Sequence, residues 1–353
     1  MIKPLTSLRF FFAFFVFLSH LSYLKQDENY KGIFEGIFSE GFLGVSFFFI
    51  LSGFILALNY RDKFVNKTIT LRKFYIARFA RIYPLYFITM LASIPAFYSS
   101  FKILLYNVLL IQSYIPDDKV FFSYNAPSWS ISDEMFFYAL FPALIIIVYN
   151  LPKVFKIILI ITFVAFILLL NSILIDESKL HYWLYISPFI RIFDFLLGIL
   201  LFDIVLYLKK KKQNLNQNLF NFLEIGGIAT LVIFFIFHNS LPISYRFSIY
   251  YWLPMCMIIL GASGSFIFKE NTTWISKSLS WRWLVYLGEI SFGFYLIHYL
   301  VLTYTNKLNG FTGIHLKGIP YAAEMFIITL ITSIFAFECI EKPLNKKIKN
   351  LFS

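Results

Sequence analysis

Arg9 and His20 interrupt an otherwise apolar run, LTSLRFFFAFFVFLSHLSYL, at positions 5–24. An imidazole can take and return a proton near neutral pH, and a guanidinium holds anions. Ionisable groups inside an apolar run of membrane length are costly, which marks them for function. Eleven residues on an α-helix make about three turns. The two side chains therefore share one face within roughly 20°, about 16 Å apart along the axis.

A second acid–base candidate closes the stretch Asn125-Ala-Pro-Ser-Trp-Ser-Ile-Ser-Asp-Glu134. Pro127 suits the first turn of a helix, which places Glu134 one to two turns further in. A carboxylate bonded to one imidazole nitrogen fixes the tautomer and raises the basicity of the other. Glu134 is therefore expected to orient His20 as a general base. His298 ends LGEISFGFYLIH, where Ser291, Tyr295 and His298 share a face at i, i+4 and i+7. It is read as a substrate-orienting residue, with polar packing or a second catalytic role as alternatives. Arg191 and Asp194 sit in another apolar run and are read as acceptor-binding.

Arg78 and Arg81 are three apart and so are neighbours on a helix face. With Arg72 and Lys73 they form a cationic patch in the basic stretch 61–81. Such a patch suits lipid headgroups or the phosphates of a cytosolic cosubstrate, since arginine forks pair with phosphate. The run Lys209 to Lys212 reads as a topological anchor.

Other chemistries find no support. There is no G-x-S-x-G elbow. His20, His181, His238, His298 and His315 show no metal-ligand spacing, and the last three besides His20 and His298 read as exposed loop residues. Cys256 and Cys339 give neither a disulfide framework nor a metal site.

These residues need elements to hold them. The chain of 353 residues is 59% hydrophobic and 14% charged, against about 25% charged in a soluble domain. Apolar stretches near the length of a bilayer crossing recur at 5–24, 41–60, 82–99, 127–149, 156–175, 186–207, 220–238, 249–268, 283–304 and 320–339. The expected fold is an all-α polytopic transmembrane bundle of about ten spans, a single domain over 1–353. The segment 101–113 is short and reads as interfacial or re-entrant. The N-terminus does not read as a cleaved signal peptide, because Arg9 breaks its apolar run and no A-x-A-like site follows. Most of the 31 Lys and Arg residues gather in alternate loops, which puts both termini in the cytoplasm. The net charge of +12 then reflects cytoplasmic loops and membrane lipids as partners, not nucleic acid. This topology sets His20, Glu134, Arg191, Asp194 and His298 in an outer layer. Arg9, Ser52, Gly53, Glu289 and Glu338 fall in an inner one.

Seven stretches together resemble the acyltransferase family 3 integral membrane proteins, which include bacterial surface-glycan O-acetyltransferases. They are LRFFFAFFVFLSH, GFLGVSFFFILSGF, ARFARIYPLY, PSWSISDE, RIFDFLLGILLF, LGEISFGFYLIH and ECIEKPL, and they span nearly the whole chain. The resemblance implies that Arg9 and His20 form an arginine–ten residues–histidine motif with His20 catalytic. It implies that Arg78, Arg81, Ser52 and Gly53 serve an acyl-CoA donor, most simply acetyl-CoA, with no resident cofactor or metal. Asp194 stands where the family often has Glu. The acceptor would be a cell-surface or lipid-linked glycan, the location a bacterial inner membrane, and a homo-oligomer is open. A C-terminal SGNH domain, frequent in the family, is not expected here. His20 would act as general base or as transient acyl carrier. The competing class is a lipid-linked saccharide transporter or flippase. A third is a non-catalytic membrane protein that tolerates substitution at His20.

Overall fold

The computed structural model describes residues 2–173, 176–212, 215–268, 273–312 and 317–352. Among them there is no strand. The principal helices are α1 (Lys3–Ser19), α2 (Leu43–Val65), α3 (Leu71–Phe97), α4 (Trp129–Asn150), α5 (Lys153–Ile173), α6 (Pro188–Lys210), α7 (Asn218–Phe237), α8 (Trp252–Ala262), α9 (Arg282–Thr312), α10 (Gly318–Ala336) and α11 (Lys342–Phe352).

Each of the ten apolar stretches falls on a helix. Seven helices are long and apolar enough to cross a membrane, within Lys31–Val65, Leu71–Phe97, Ala126–Asn150, Lys153–Ile173, Asn218–Ser240, Arg282–Thr312 and Gly318–Phe352. The other three stretches depart from that standard for visible reasons. Helix α1 has 17 residues. Helix α6 carries Arg191, Asp194 and Asp203. The helical stretch Trp252–Phe268 is short. Helix α3 begins well before the apolar stretch 82–99 that it carries. Its basic stretch is helical from Leu71, because the Thr70 side chain accepts from the Lys73 amide at 3.3 Å and caps the first turn. Arg78 and Arg81 therefore share a helix face, as their spacing predicts.

The chain forms two compact units. The first is Met1–Phe12, Phe42–Thr68 and Leu140–Glu289; the second is Ala13–Gly41, Ile69–Ala139 and Ile290–Ser353.

In the first unit, α2 and α6 cross backbone to backbone. A Cβ at Gly53 would stand 2.0 Å from the Phe195 carbonyl oxygen, and one at Gly198 would stand 1.9 Å from that of Ile50. Small residues permit such crossings where lipid supplies no hydrophobic drive between helices. Glu224 on α7 is buried and accepts from Ser276 at 2.5 Å and from Thr273, which ties α7 to the helix Trp274–Leu279. Helices α5 and α7 keep most of their apolar side chains exposed, among them Ile157, Ile161, Leu169, Ile225, Val232 and Ile236.

In the second unit, the helix Phe101–Val108 and the turn after it are built into the protein. Asn107, Gln112 and Ser113 are fully buried. Asn107 donates to Ser123 at 2.7 Å, Gln112 to the Ser128 carbonyl at 3.3 Å, and Ser113 meets Ser132 at 2.7 Å. Non-helical backbone is tolerated in an apolar setting where the protein satisfies it, and here it fixes the start of α4. Back in the first unit, His238, expected on the surface, is buried, with Nδ1 2.6 Å from the Phe235 carbonyl at the end of α7. His181 is half-buried against Tyr185 and Phe247, and His315 lies outside the described residues.

Candidate active site

The second unit holds His20, Arg78, Arg81, Glu134 and His298. His20 follows the last turn of α1, and its amide returns to the Phe17 carbonyl at 3.1 Å. Its Nδ1 lies 2.8 Å from the Val16 carbonyl oxygen. A carbonyl can only accept, so Nδ1 carries the proton in the neutral ring. Nε2 then holds the free lone pair, the form a general base requires. His298 on α9 is fully buried. Its Nδ1 is 3.3 Å from the Phe294 carbonyl, and its Nε2 is 3.3 Å from His20 Nδ1.

Aromatic rings fix this pair. Phe17, Phe294 and Phe326 meet edge to face with centroids 5.7, 6.2 and 5.9 Å apart, clamping α1, α9 and α10. Phe17 also stands edge-on to His298 at 6.3 Å, and Tyr299 edge-on to His20 at 5.6 Å.

Glu134 has a different setting from the one expected. Among the described residues the hydrogen bonds of His20 run to Val16 and His298, and Glu134 is not among its partners. Glu134 instead accepts from the Tyr138 hydroxyl one turn along α4. The Arg78 guanidinium lies over that tyrosine ring, 5.8 Å from its centroid. Arg81 is ion-paired with Glu341, which is 2% exposed, and it faces the Phe292 ring at 5.8 Å. Glu341 closes a π-turn, Phe337–Glu341, that joins α10 to α11. The extra residue in that turn brings Glu341 inward, while Glu338 stays exposed and pairs with Lys342 at 2.9 Å. π-Turns of this kind often re-aim a side chain at a functional site.

The start of α4 is docked on α9. Tyr295 bonds Ser130 at 2.8 Å and the Pro127 carbonyl at 2.9 Å, and Asn125 donates to the Leu296 carbonyl at 2.9 Å. Side-chain contacts thus run from His20 through His298 and the Tyr295 ring to Ser130; one turn further along α4, Glu134 bonds Tyr138, over which Arg78 lies.

The first unit holds Arg9, Ser52, Gly53, Arg191 and Asp194. Arg9 and Ser52 are half-buried, on α1 and α2. Gly53 sits at the α2–α6 crossing. Arg191 and Asp194 form a buried ion pair at 3.0 Å, with side chains 1% and 2% exposed. The arginine also donates to Ser46 at 2.8 Å and to the Phe247 carbonyl at 2.7 Å, and Trp252 donates to Asp194 at 2.5 Å.

The family model described as an acyltransferase domain matches residues 3–338 of this chain. The chain belongs to acyltransferase family 3. Among its relatives, acyltransferase MdmB of Streptomyces mycarofaciens is 27% identical over 335 residues, covering 88% of this chain and 81% of that protein. Peptidoglycan O-acetyltransferase OatA of Listeria monocytogenes is 26% identical over 336 residues, covering 87% of this chain and 51% of that protein. This chain thus spans about half the length of OatA. No solved structure matches it. With its apolar helices, this family 3 protein is a multi-pass membrane O-acyltransferase.

Two residues of this acyltransferase were not singled out from its sequence. Glu341 lay within the recognised ECIEKPL stretch, and its nearness to the inner-side arginines was the available signal. Tyr138 gave none, because a tyrosine one turn after Glu134 is unremarkable in a sequence of 23 tyrosines. Among the described residues no group of three His, Cys, Asp or Glu could hold a metal.

The Arg191–Asp194 pair predicts a stability effect. Asp194→Ala leaves a buried guanidinium without its counter-charge, at about 3–5 kcal/mol. The thermal midpoint of the detergent-purified variant should fall sharply, and Asp194→Asn should fall less because it keeps the Trp252 bond. An unchanged midpoint for Asp194→Ala would show that the pair is dispensable to the fold.

Proposed function

We propose that this protein moves an acetyl group from cytosolic acetyl-CoA to a hydroxyl of a cell-surface or lipid-linked glycan, in a bacterial inner membrane. The observation that carries this reading is the fixed His20 tautomer, with Nδ1–H on the Val16 carbonyl and Nε2 left basic. His20 Nε2 takes the proton of the acceptor hydroxyl as its oxygen attacks the thioester carbonyl. The C–S bond then breaks, and the same nitrogen returns the proton to the departing thiolate. An acetyl-histidine intermediate would use the same lone pair as nucleophile. Arg78 and Arg81 hold the donor's phosphates, with Glu341 and Tyr138 fixing the two guanidinium groups. Glycan acceptors are favoured over other hydroxyls by the peptidoglycan O-acetyltransferase among the relatives.

The reading is tested with purified protein in vesicles, acetyl-labelled acetyl-CoA and cell-envelope glycan. An alkali-labile acetyl ester on the glycan and one free thiol per ester are expected. Intact donor after prolonged incubation would remove the reading. A second prediction concerns the donor alone. Arg78→Gln should raise its KM by roughly tenfold or more, since a charge-assisted hydrogen bond contributes about 1.5–3 kcal/mol. A donor KM equal to that of the unsubstituted protein would return the arginine to lipid anchoring.

A further inference from the structure

We propose that His298 is the positioning partner of His20, accepting its Nδ1–H and sharing the positive charge that develops when His20 takes a proton. The inference rests on the general-base reading above and names the group that occupies the orienting place in it.

Three observations converge. The His298 Nδ1 lies against the Phe294 carbonyl, which assigns the proton to that nitrogen and leaves Nε2 with only a lone pair to offer. That lone pair is 3.3 Å from His20 Nδ1. The Val16 bond at 2.8 Å and the His298 contact therefore share one N–H. Second, among the described residues neither imidazole is hydrogen-bonded to a carboxylate, so a second histidine fills the position that an acid fills in a Ser-His-Asp triad. Third, His298 is 0% exposed and its ring is bounded by Phe17 and Tyr295, at 6.3 and 5.9 Å, so its direction is held before any substrate arrives.

The proton balance is closed. The acceptor's hydroxyl proton arrives at His20 Nε2. The His20 Nδ1 proton moves toward His298 Nε2, and the pair together carries one extra proton. When the C–S bond breaks, the thiolate takes the proton from His20 Nε2 and the Nδ1 proton returns. Two imidazolium rings at this distance would repel, so the pair holds one positive charge at a time.

Packing alone makes a different forecast, which separates the two roles. His298→Phe keeps the ring volume and removes the acceptor, whereas His298→Gln keeps an acceptor oxygen. Rates are measured per folded, monodisperse protein, with acetyl-CoA and glycan varied separately. His298→Phe is expected to lower kcat roughly a hundredfold with the donor KM within twofold, and His298→Gln to recover at least tenfold of that loss. A kcat for His298→Phe within threefold of the unsubstituted protein, or no advantage of Gln over Phe, overturns the proposal. If His298→Phe yields no folded protein, His298→Ala with added imidazole replaces it; a rate that rises with imidazole is expected, and a flat response overturns it. His20→Ala and the unsubstituted protein run alongside. An unsubstituted protein that transfers no acetyl group, or a fully active His20→Ala, refutes the general-base reading itself. An unaffected His298→Phe in an active, His20-dependent enzyme refutes only the partnership.

Discussion

His20→Ala should abolish acetyl transfer, with a loss of at least 10²–10⁴-fold, the range a positioned general base contributes. The protein should nonetheless reach the membrane in ordinary amount. The structure separates the two outcomes. His20 lies beyond the last turn of α1, half-buried, and its shortest bond is to Val16, four residues back on the same chain. Removing the imidazole deletes its contacts with His298 and Tyr299 but leaves the Phe17, Phe294 and Phe326 clamp in place. His20→Gln is the sharper comparison. Its amide nitrogen can still donate to the Val16 carbonyl, yet it has no basic lone pair. It should fold as well as the unsubstituted protein and transfer as little as the alanine variant. Acetyl ester formation per folded protein is the measurement; activity near that of the unsubstituted protein in either variant would take the chemistry away from this residue.

The second large effect is expected at Gly53 and Gly198, and it concerns folding. An added Cβ at either position meets a backbone carbonyl oxygen at 2.0 or 1.9 Å, about 1 Å inside the 3.0 Å that real Cβ atoms keep. Neither contact is the tip of a flexible side chain, so α2 and α6 must separate along the crossing. A loss of about 3 kcal/mol or more follows, at or beyond the upper end of what an overpacked core costs. Gly53→Ala and Gly198→Ala should each give little extractable protein and an early thermal transition. Gly36→Ala is the control, since nothing lies within 4 Å of its Cβ position. A Gly53→Ala protein that purifies with a normal transition but a raised donor KM would return Gly53 to the donor site that the family resemblance implies.

Local signals carried the fold and long-range pairings were silent. Apolar runs placed ten helices because hydrophobic length is written in consecutive residues. Their ends were less legible. The first run was read to Leu24, but α1 stops at Ser19 and a 3₁₀ turn, Ser22–Gln26, follows. Basic residues hid the first turns of α3, although Arg, Lys and Ala are good helix formers. The candidate site shows the same division. His20, Arg81, Glu134 and His298 each stood out as charged or titratable groups in apolar surroundings. Which of them meet was not readable. His20 and His298 are 278 residues apart and Arg81 and Glu341 are 260 apart, and depth in a bilayer says nothing about neighbours around it. Depth matched Glu134 to His20, whereas helix packing gave His20 a histidine, and Glu134 bonds the tyrosine one turn along its own helix, over which Arg78 lies. The π-turn at Phe337–Glu341 was equally invisible, and it leaves Glu341 buried and Glu338 exposed.

The bare outer faces of α5 and α7 carry a consequence for how such a sequence can drift. A leucine, isoleucine, valine or phenylalanine there is solvated by acyl chains that do not distinguish among them. Exchanges within that set are nearly free, while a lysine or aspartate at mid-helix costs about 2.5–3.5 kcal/mol. Positions such as Ile157, Ile161, Val232 and Ile236 constrain a lineage to greasiness and to nothing finer. Two descendants of one ancestor could lose all recognisable likeness along these helices while α2, with its glycine seam, stayed fixed.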